Sequence, residues 1–516
     1  MKVQVDRRDA LEAVADLTVS GVFERGERPE PLPRTLAGED AAVKGAVREA
    51  WERREIRGRP REGGGELRGE LSVFHRPDGG GRIVLVGLGP RAHYGAERAR
   101  RAAAQVVKGL QGKGARTAAF RLPTFVAEGV AAEIAARALV DGAVLGAHEF
   151  TKYKSTTGGP IEEVSIHLGD ELTGEEGSVR KAVAEEVTIT ETAVWTREIA
   201  NLPADTATPE RLAVEARALA KELGLKVTVF DEKALKEMHC GGILAVGSGS
   251  DHPPRMIVLE YAGGSRRGRT VAVVGKGITF DSGGISIKAA LRMQDMKFDK
   301  SGAVAVLGIL RAAALLKAAP KVVGVLCCAE NLPGGGAYRP GDVLRTFGGK
   351  SIEVVNTDAE GRVVLADGLG YVVQHYRPDE VIDLATLTGA EVVALGDDTA
   401  GLVATDDRLA QGLLAASQAT GEPLWRMPLT DYHRELVKSD IADVRNSIEL
   451  TVAGMLTAAA FLETFVGSTP WAHVDIAGPA YTTPSTRKWQ PAYQNVGATA
   501  FGVRTVTRYL LDLARS

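Results

Sequence analysis

Uninterrupted apolar runs constrain the fold of this sequence more than any other feature. In the run Val322-Val323-Gly324-Val325-Leu326-Cys327-Cys328 no polar residue alternates with the apolar ones. A strand with one face in water would alternate, so this run predicts a strand buried on both faces. Such a strand needs other elements packed on both sides of its sheet.

The chain from about residue 205 alternates between helix-like and strand-like patterns. The predicted helices are 209–223 and 232–237, and the predicted strands are 225–230, 255–261, 270–275, 321–328 and 380–384. This alternation predicts a largely parallel sheet covered by helices on both faces. Gly275, Gly277, Gly283 and Gly284 follow one of the strands, where open α/β sheets bind their ligands.

The N-terminal third has the pattern of a separate, smaller α/β domain, with a strand at 82–89 and helices at 96–110 and 126–146. A helix-compatible stretch at 178–200 then ends before Pro203, which cannot continue a helix. For these 516 residues we therefore expect an N-terminal α/β domain at 1–170, a linker helix at 171–200 and a larger domain at 201–516.

Composition and charge exclude several classes of protein. A net charge of -3 gives no overall electrostatic support for a nucleic-acid or membrane-surface partner. The sequence has neither a signal peptide nor an apolar stretch of about 18 residues. With only three cysteines, two of them adjacent, it has no pattern of a disulfide framework. We expect a soluble cytoplasmic protein without a membrane partner.

An arginine-rich stretch stands out in the N-terminal domain, comprising Arg48, Arg53, Arg54, Arg57, Arg59 and Arg61. These arginines alternate with glutamates at 49, 52 and 55. The pattern favours a solvated helix face over a phosphate-binding role.

Two segments further on concentrate acidic and basic residues. The first contains Lys276, Asp281, Lys288 and Asp299 among glycines, and the second is Asn356-Thr357-Asp358-Ala359-Glu360-Gly361-Arg362. In an extended conformation Asp358 and Glu360 would face the same side. Four carboxylates with almost no histidine nearby suit two hard or borderline divalent ions about 3.5–4 Å apart. The alternative is that these acids only cap helices and pair with the basic residues.

Other catalytic and nucleotide-binding motifs do not fit. The residue after Lys276 is Gly277, so the G-x-x-x-x-G-K-[ST] spacing of a phosphate-binding loop fails. Neither H-E-x-x-H nor G-x-S-x-G occurs, which removes the common zinc-protease and serine-hydrolase signatures.

The segment 356–362 resembles the signature of the leucyl aminopeptidase family, also called cytosol aminopeptidases. The segments 274–299, 330–342 and 383–390 resemble further parts of that family, and the likeness covers about 195–516 closely. It implies an α/β fold in which a small, macro-domain-like N-terminal domain is joined by a helix to a larger α/β/α catalytic domain. The central sheet of the catalytic domain would be mixed and largely parallel.

The resemblance also implies roles for individual residues. The metal ligands would be Lys276, Asp281, Asp299, Asp358 and Glu360. The catalytic residues would be Lys288, which polarises the scissile carbonyl, and Arg362, which holds a bicarbonate ion that acts as general base. The first side chain of the substrate would contact Met296, Thr386 and Gly389, while the Leu387 carbonyl would bind its backbone.

By the same resemblance we expect a metallo-exopeptidase that uses two ions of Mn²⁺ or Zn²⁺ and acts as a homohexamer. It would release leucine and other apolar residues from peptides with a free N-terminus. Two alternatives stay open: a dipeptidase narrowed to substrates such as Cys-Gly, and DNA binding through the arginines at 48–61. Lys300 and Ala289 depart from the family pattern, in which methionine and proline are usual.

Overall fold

The computed structural model describes residues 1–26, 30–59, 69–155, 158–264, 269–448 and 450–513. It contains two compact units. The first comprises the described residues of Met1–Glu191 and Thr483–Val496, and the second those of Thr192–Thr482 and of the chain from Gly497 onward. None of the helices in these ranges is both long and apolar enough to cross a membrane.

The first unit contains short strands and helices in alternation. Its strands are β1 (Lys2–Asp6), β2 (Leu17–Phe23), β3 (Leu71–His75), β4 (Arg82–Gly89), β5 (Thr117–Arg121) and β6 (Glu163–His167). Its helices are α1 (Ala37–Ala42), α2 (Ala46–Glu52), α3 (Ala96–Leu110) and α4 (Ala132–Ala147). A longer helix, α5 (Glu176–Ala200), begins in this unit and ends in the second.

The strands of the first unit form a sheet in the order β1-β6-β5-β2-β4-β3, parallel except for the pair β3–β4. The predicted strand at 82–89 and the helix at 96–110 are confirmed. The helix predicted at 126–146 begins only at Ala132. Gly129 has a φ of +78°, which turns the chain just before the helix.

The second unit contains the remaining elements. Its helices are α6 (Pro209–Leu223), α7 (Glu232–Glu237), α8 (Gly241–Gly247), α9 (Ser301–Leu315), α10 (Glu360–Tyr376), α11 (Gly389–Leu395), α12 (Asp407–Thr420), α13 (Asp431–Leu436), α14 (Gly454–Glu463) and α15 (Val503–Asp512). Its strands are β7 (Lys226–Phe230), β8 (Arg255–Tyr261), β9 (Thr270–Asp281), β10 (Lys321–Asn331), β11 (Val343–Arg345), β12 (Ser351–Glu353), β13 (Glu380–Ala385), β14 (Ala400–Ala404), β15 (Leu424–Arg426), β16 (Val444–Arg445), β17 (Trp471–Asp475), β18 (Tyr481–Thr482) and β19 (Gly497–Ala498).

The main sheet of the second unit has the order β15-β14-β17-β13-β9-β10-β8-β7. Its centre, β17-β13-β9-β10, is parallel, and antiparallel pairs flank it. Successive residues of β9 enter two different cores: Val271 and Val273 pack with α6, α9, α12 and α15, while Ala272 and Val274 pack with α8, α10 and α14. The predicted mixed, largely parallel sheet between two helical layers is thus confirmed.

The strand β9 is longer than predicted and contains an irregularity. The sequence predicted a strand at 270–275 followed by loops, whereas β9 continues to Asp281, so Lys276 and Asp281 lie on the strand itself. Ile278 pairs with Ala329 of β10 but Asp281 pairs with Asn331, so β9 contains one extra residue. In a regular strand residues five apart face opposite sides, and the bulge brings Lys276 and Asp281 to the same side.

The backbones of helix α9 and strand β9 approach one another unusually closely. A Cβ atom on Gly302 would lie 2.1 Å from the Leu384 carbonyl oxygen and 3.0 Å from the Lys276 nitrogen. A Cβ atom on Gly275 would lie 2.6 Å from the Cα of Ala303. These two glycines therefore set the distance between the start of α9 and the strand that carries Lys276.

We predict that Gly302→Ala destabilises the protein by about 1–3 kcal/mol, because the added methyl group overpacks a backbone contact that cannot yield. Thermal melting of the full-length variant measures this. Gly335→Ala is the matched control, since a Cβ atom there meets nothing within 4 Å. An unchanged melting temperature for Gly302→Ala would show that α9 can move away from the sheet.

Candidate metal centre

A cluster of charged side chains lies at the carboxyl edge of the central strands. Lys276 and Asp281 come from β9, and Asp299 follows a 3-10 turn at Met293–Phe298 and precedes α9. Asp358 and Glu360 lie at the beginning of α10. Because the carboxyl ends of parallel strands share one edge of the sheet, residues distant in sequence converge here.

Lys276 lies at the buried end of the cluster. Its Nζ is 2.8 Å from Asp299 Oδ2 and 2.8 Å from Glu360 Oε1, and it donates to the Thr386 carbonyl oxygen at 2.8 Å. Burial lowers the pKa of Lys276, but the charges of Asp299 and Glu360 outweigh it, so the pKa is raised above its ordinary value. The side chain is therefore an ammonium ion in the arrangement observed.

Lys288 lies at the more open end, with 23% of its side chain exposed. Its Nζ is 2.8 Å from Asp281 Oδ2 and also forms an ion pair with Asp358. Burial lowers the pKa of Lys288, but Asp281 and the other carboxylates raise it overall, so this side chain also keeps its charge. The two lysines thus face the carboxylates from opposite ends.

The carboxylate oxygens lie close enough together to bind the same divalent ion. One oxygen each from Asp281, Asp358 and Glu360 lies within 4.8 Å of the others. Burial and the charge of Asp281 raise the pKa of Asp358 to about 6, and burial raises the pKa of Asp299. Four carboxylates face two ammonium groups, so negative charge remains uncompensated. Hard oxygen donors with excess negative charge fit divalent metal ions.

Asp358 and Glu360 lie close together, but not because their segment is extended, as the sequence predicted. The two residues are not extended: the backbone N–H of Asp358 donates to Asn356 Oδ1 at 2.8 Å in a turn, and Glu360 is the first residue of α10. The expectation of an extended segment is therefore wrong. The turn into the helix brings the two carboxylates together instead.

Neighbouring polar groups fix the orientation of the carboxylates. Asn331 Nδ2 donates to Asp281 Oδ1 at 2.8 Å and to the Thr357 carbonyl oxygen at 3.0 Å. Thr386 Oγ1 donates to Asp299 Oδ1 at 2.6 Å. No role was predicted for Asn331. Its position directly after the acidic Glu330, at the end of a buried strand, was the only local signal.

A cleft of about 200 Å³ opens beside this cluster. Its wall contains Lys276, Asp281, Lys288, Asp295, Met296, Asp299, Asp358, Glu360, Thr386, Leu387, Thr388, Gly389, Val392, Ala477 and Tyr481. The structure thus brings together all the predicted site residues except Arg362. Five further residues of the wall were not predicted: Asp295, Thr388, Val392, Ala477 and Tyr481. Tyr481 is held by stacking on Phe298, with ring centroids 4.8 Å apart, a contact between residues far apart in sequence.

Arg362 lies in α10, two residues after Glu360, but is not part of the cleft wall. Its side chain is buried, and Nη1 donates to the Asn446 carbonyl oxygen at 2.9 Å. Within the described part of the chain, Nε has no hydrogen-bond partner although it is buried. Burial lowers the pKa of Arg362 to about 10. Arg362 thus remains a cation with a free donor at neutral pH.

Neither of the two departures from the family pattern lines the cleft. Lys300 is fully buried, and its Nζ donates to the Leu202 carbonyl oxygen at 2.9 Å and to that of Lys297. Burial lowers the pKa of Lys300 to about 7, so it carries only part of a charge near neutral pH. Ala289 is exposed. Lys300 therefore adds no side chain to the cleft.

Comparison with known proteins relates this chain to peptidases over its whole length. Residues 194–507 match the model of the cytosol aminopeptidase family, catalytic domain, and residues 22–157 match the N-terminal domain model of that family. A probable cytosol aminopeptidase of Roseiflexus castenholzii is 42% identical, covering 99% of each chain. The cytosol aminopeptidase of Pseudomonas aeruginosa is 41% identical over 84% of this chain and 86% of that relative.

Two solved structures are similar to this chain. The bottromycin maturation enzyme BotP in complex with Mn superposes with a TM-score of 0.82 at 37% identity, covering 97% of this chain and 100% of BotP. A mutant of tomato leucine aminopeptidase superposes with a TM-score of 0.85 at 30% identity, covering 99% of this chain and 96% of that chain.

We predict that Mn²⁺ affinity falls as pH decreases through about 6. Asp358 has a pKa near that value, and a protonated carboxyl group is a poor metal ligand. Metal should therefore bind more tightly above this pH, where Asp358 is ionised and no proton has to leave it. Titration calorimetry between pH 5 and 7.5 measures it, with Asp358→Asn as the variant whose pH dependence should be weaker. Constant affinity over this range would contradict a role for Asp358 as ligand.

Proposed function

Because this chain belongs to the cytosol aminopeptidase family, we propose that its metal-dependent aminopeptidase activity prefers leucine and other apolar N-terminal residues and uses two divalent ions. The observation that carries this proposal is the position of the carboxylate cluster. It lines a cleft that Met296, Val392 and Ala477 also line. Groups that could hold metal and groups that could receive an apolar side chain thus face the same small space.

The two ions would be held by the carboxylates of Asp281, Asp299, Asp358 and Glu360 and by the amine of Lys276. When bound, such ions polarise a carbonyl group and lower the pKa of a shared water molecule. Lys276 is protonated in the arrangement observed, so ligation requires it to release a proton, which a neighbouring dication favours. The complex of BotP with Mn supports Mn²⁺ as the first ion to test, with Zn²⁺ second.

Lys288 would stabilise the negative charge that develops on the carbonyl oxygen of the scissile bond. Its ammonium group is next to Asp281 and Asp358 and is partly exposed to the cleft, so it can reach both the centre and a substrate. A fixed positive charge at this place acts mainly on the transition state, where the oxygen carries most charge.

Arg362 would hold a bicarbonate ion that accepts a proton from the attacking water. Its buried Nε, free of a partner among the described residues, supports this role. The planar guanidinium group can offer two parallel N–H donors to a planar oxyanion, which a lysine cannot.

The free amine of the substrate would bind at the carboxylate cluster, which restricts cleavage to the first residue. Apolar walls distinguish aliphatic side chains weakly, by about 1–3 kcal/mol per methylene. We therefore expect a broad preference among apolar first residues. The small volume of the cleft, about 200 Å³, keeps a narrow dipeptidase with substrates such as Cys-Gly as second candidate. Assembly into a cytoplasmic homohexamer follows only from the family resemblance, and mass measurement in solution tests the hexamer.

We predict that chelated protein hydrolyses leucine p-nitroanilide only after Mn²⁺ or Zn²⁺ is returned, and that it leaves the N-acetylated substrate intact. The acetyl group removes the amine that the cluster would bind. Cys-Gly is assayed in parallel. Cleavage of Cys-Gly alone would replace the broad activity with the dipeptidase, and cleavage of the acetylated substrate would exclude the proposed amine recognition.

We predict different effects for two substitutions in the cluster. Lys288→Ala should keep metal bound and lower kcat about 10²–10³-fold, because its contact matters chiefly in the transition state. Asp358→Asn should lose metal affinity and activity together. Metal content by elemental analysis and steady-state kinetics separate the two. Full activity in either variant would refute the role assigned to that residue.

A further inference from the structure

A second charged cavity lies in the first unit, which contains none of the residues proposed for peptide hydrolysis. Its volume is about 430 Å³, and it is lined by Arg25, Gly26, Arg54, Arg57 and Arg59. Arg25 follows the carboxyl end of β2 by two residues. The carboxyl ends of parallel strands are the usual place for ligands in α/β sheets. The cavity therefore lies where this type of fold binds small molecules.

The arginine-rich stretch is divided by the end of α2 at Glu52. Arg48 and Arg53 form ion pairs with Asp40 and Glu49, as a solvated helix face requires. The cavity arginines at 54, 57 and 59 lie beyond the helix, so they are not part of a solvated helix face. Arg61 lies outside the described residues.

The backbone holds the segment 54–59 against the ends of two strands. Arg25 N donates to the Arg57 carbonyl oxygen at 3.2 Å, and Gly89 N donates to the Gly58 carbonyl oxygen at 2.8 Å. Gly58 has a φ of +67°, and a Cβ atom there would lie 2.3 Å from the Phe23 carbonyl oxygen. Only glycine permits this approach. The convergence of the arginines is thus built into the fold.

Arg25 is the most informative residue of this cavity, because it is only 8% exposed. Its guanidinium carbon lies 4.3 Å from the centre of the Trp51 ring, and Nη1 donates to the Trp51 carbonyl oxygen. Its Nε is buried without a hydrogen-bond partner in the described ranges. Burial and the nearby charge of Arg54 lower the pKa of Arg25. A desolvated cation with an unused donor lines the cavity beside a second cation.

The described surroundings supply fewer carboxylates than arginines. Glu30, whose Oε1 would lie 3.0 Å from a Cβ atom on Gly26, attracts the charge of Arg25 without forming an ion pair with it. Arg59 Nε pairs with Glu24 at 3.0 Å. The Nε of Arg57 donates to the Arg54 carbonyl oxygen, and Glu70 accepts from the backbone N–H of Arg57 and not from its guanidinium group. Among the described residues, neither Arg25 nor Arg57 forms an ion pair. Like charges held together in this way create a site for an anion.

We propose that this cavity binds an oligophosphate, either free or as the phosphate chain of a nucleotide. Guanidinium groups bind phosphate oxygens through paired N–H donors, and several arginines suit several phosphates. Among the residues that the structure describes, the lining contains only arginine and glycine, with no aromatic or apolar side chain to contact a base. Its volume exceeds that of the aminopeptidase cleft and is within the range of small-molecule sites.

Titration calorimetry of the full-length protein with sodium tripolyphosphate tests this proposal. We expect saturable binding that Arg57→Gln weakens about tenfold or more, because it removes a charge-assisted contact. Arg53→Gln is the matched control: it removes an arginine of the same stretch that is paired with Glu49 and does not line the cavity. Tripolyphosphate can also take metal from the protein and so release heat. Both variants keep the same metal-binding residues, so this heat should be equal in their two titrations. Leucine p-nitroanilide hydrolysis should be unchanged in both.

The outcomes separate the sources of the phosphate. If ATP binds as tightly as tripolyphosphate and competes with it, the ligand is a nucleotide phosphate chain, and if only tripolyphosphate binds, it is a free oligophosphate. Equal weakening by Arg53→Gln would show diffuse attraction and overturn the proposal. So would an absence of saturable tripolyphosphate binding by folded protein. Duplex DNA binding that Arg57→Gln abolishes, without tripolyphosphate binding, would assign these arginines to nucleic acid instead.

Discussion

Mutual repulsion among four crowded carboxylates is the constraint on which the second unit depends. Asp281, Asp299 and the pair Asp358 and Glu360 come from three separate segments, and the fold holds their like charges close together. The raised pKa of Asp358, about 6, reflects this crowding and its burial. Lys276 and Lys288 oppose the repulsion from the two ends of the cluster. The carboxylates keep their positions for binding divalent ions only if the surrounding structure is rigid enough to hold them together against this repulsion.

That stiffness comes from the sheet beneath the cluster. The strand β9 is buried on both faces by two separate cores, so neither face can relax into solvent. At Gly275 and Gly302 the backbones of β9 and α9 touch directly, with no flexible side chain between them. Dense packing of this kind transmits small changes rather than absorbing them. Substitutions beneath the centre should therefore affect chemistry as well as stability.

Net charge conceals how charge is distributed in this chain. A total of -3 over 516 residues suggests no electrostatic specialisation. Nevertheless the second unit concentrates carboxylates in one cleft, and the first unit concentrates arginines in another cavity. In both places the electrostatic repulsion between like charges is offset by the apolar burial elsewhere in the unit. A bound ligand of opposite charge would reduce the repulsion further.

From the amino-acid sequence alone came the family resemblance, the alternation of strands and helices, and ten of the fifteen residues that line the cleft, because apolar periodicity and short motifs are local properties of the chain. Tertiary structure decided how those residues meet. The bulge that brings Lys276 and Asp281 to one side depends on pairing with β10, and the turn before α10, not an extended strand, joins Asp358 to Glu360. Likewise, only the packing of 54–59 on the ends of β2 and β4 separates the cavity arginines from the helix face. Spacing along a chain does not fix distances through space, since these depend on pairing with segments far away in sequence.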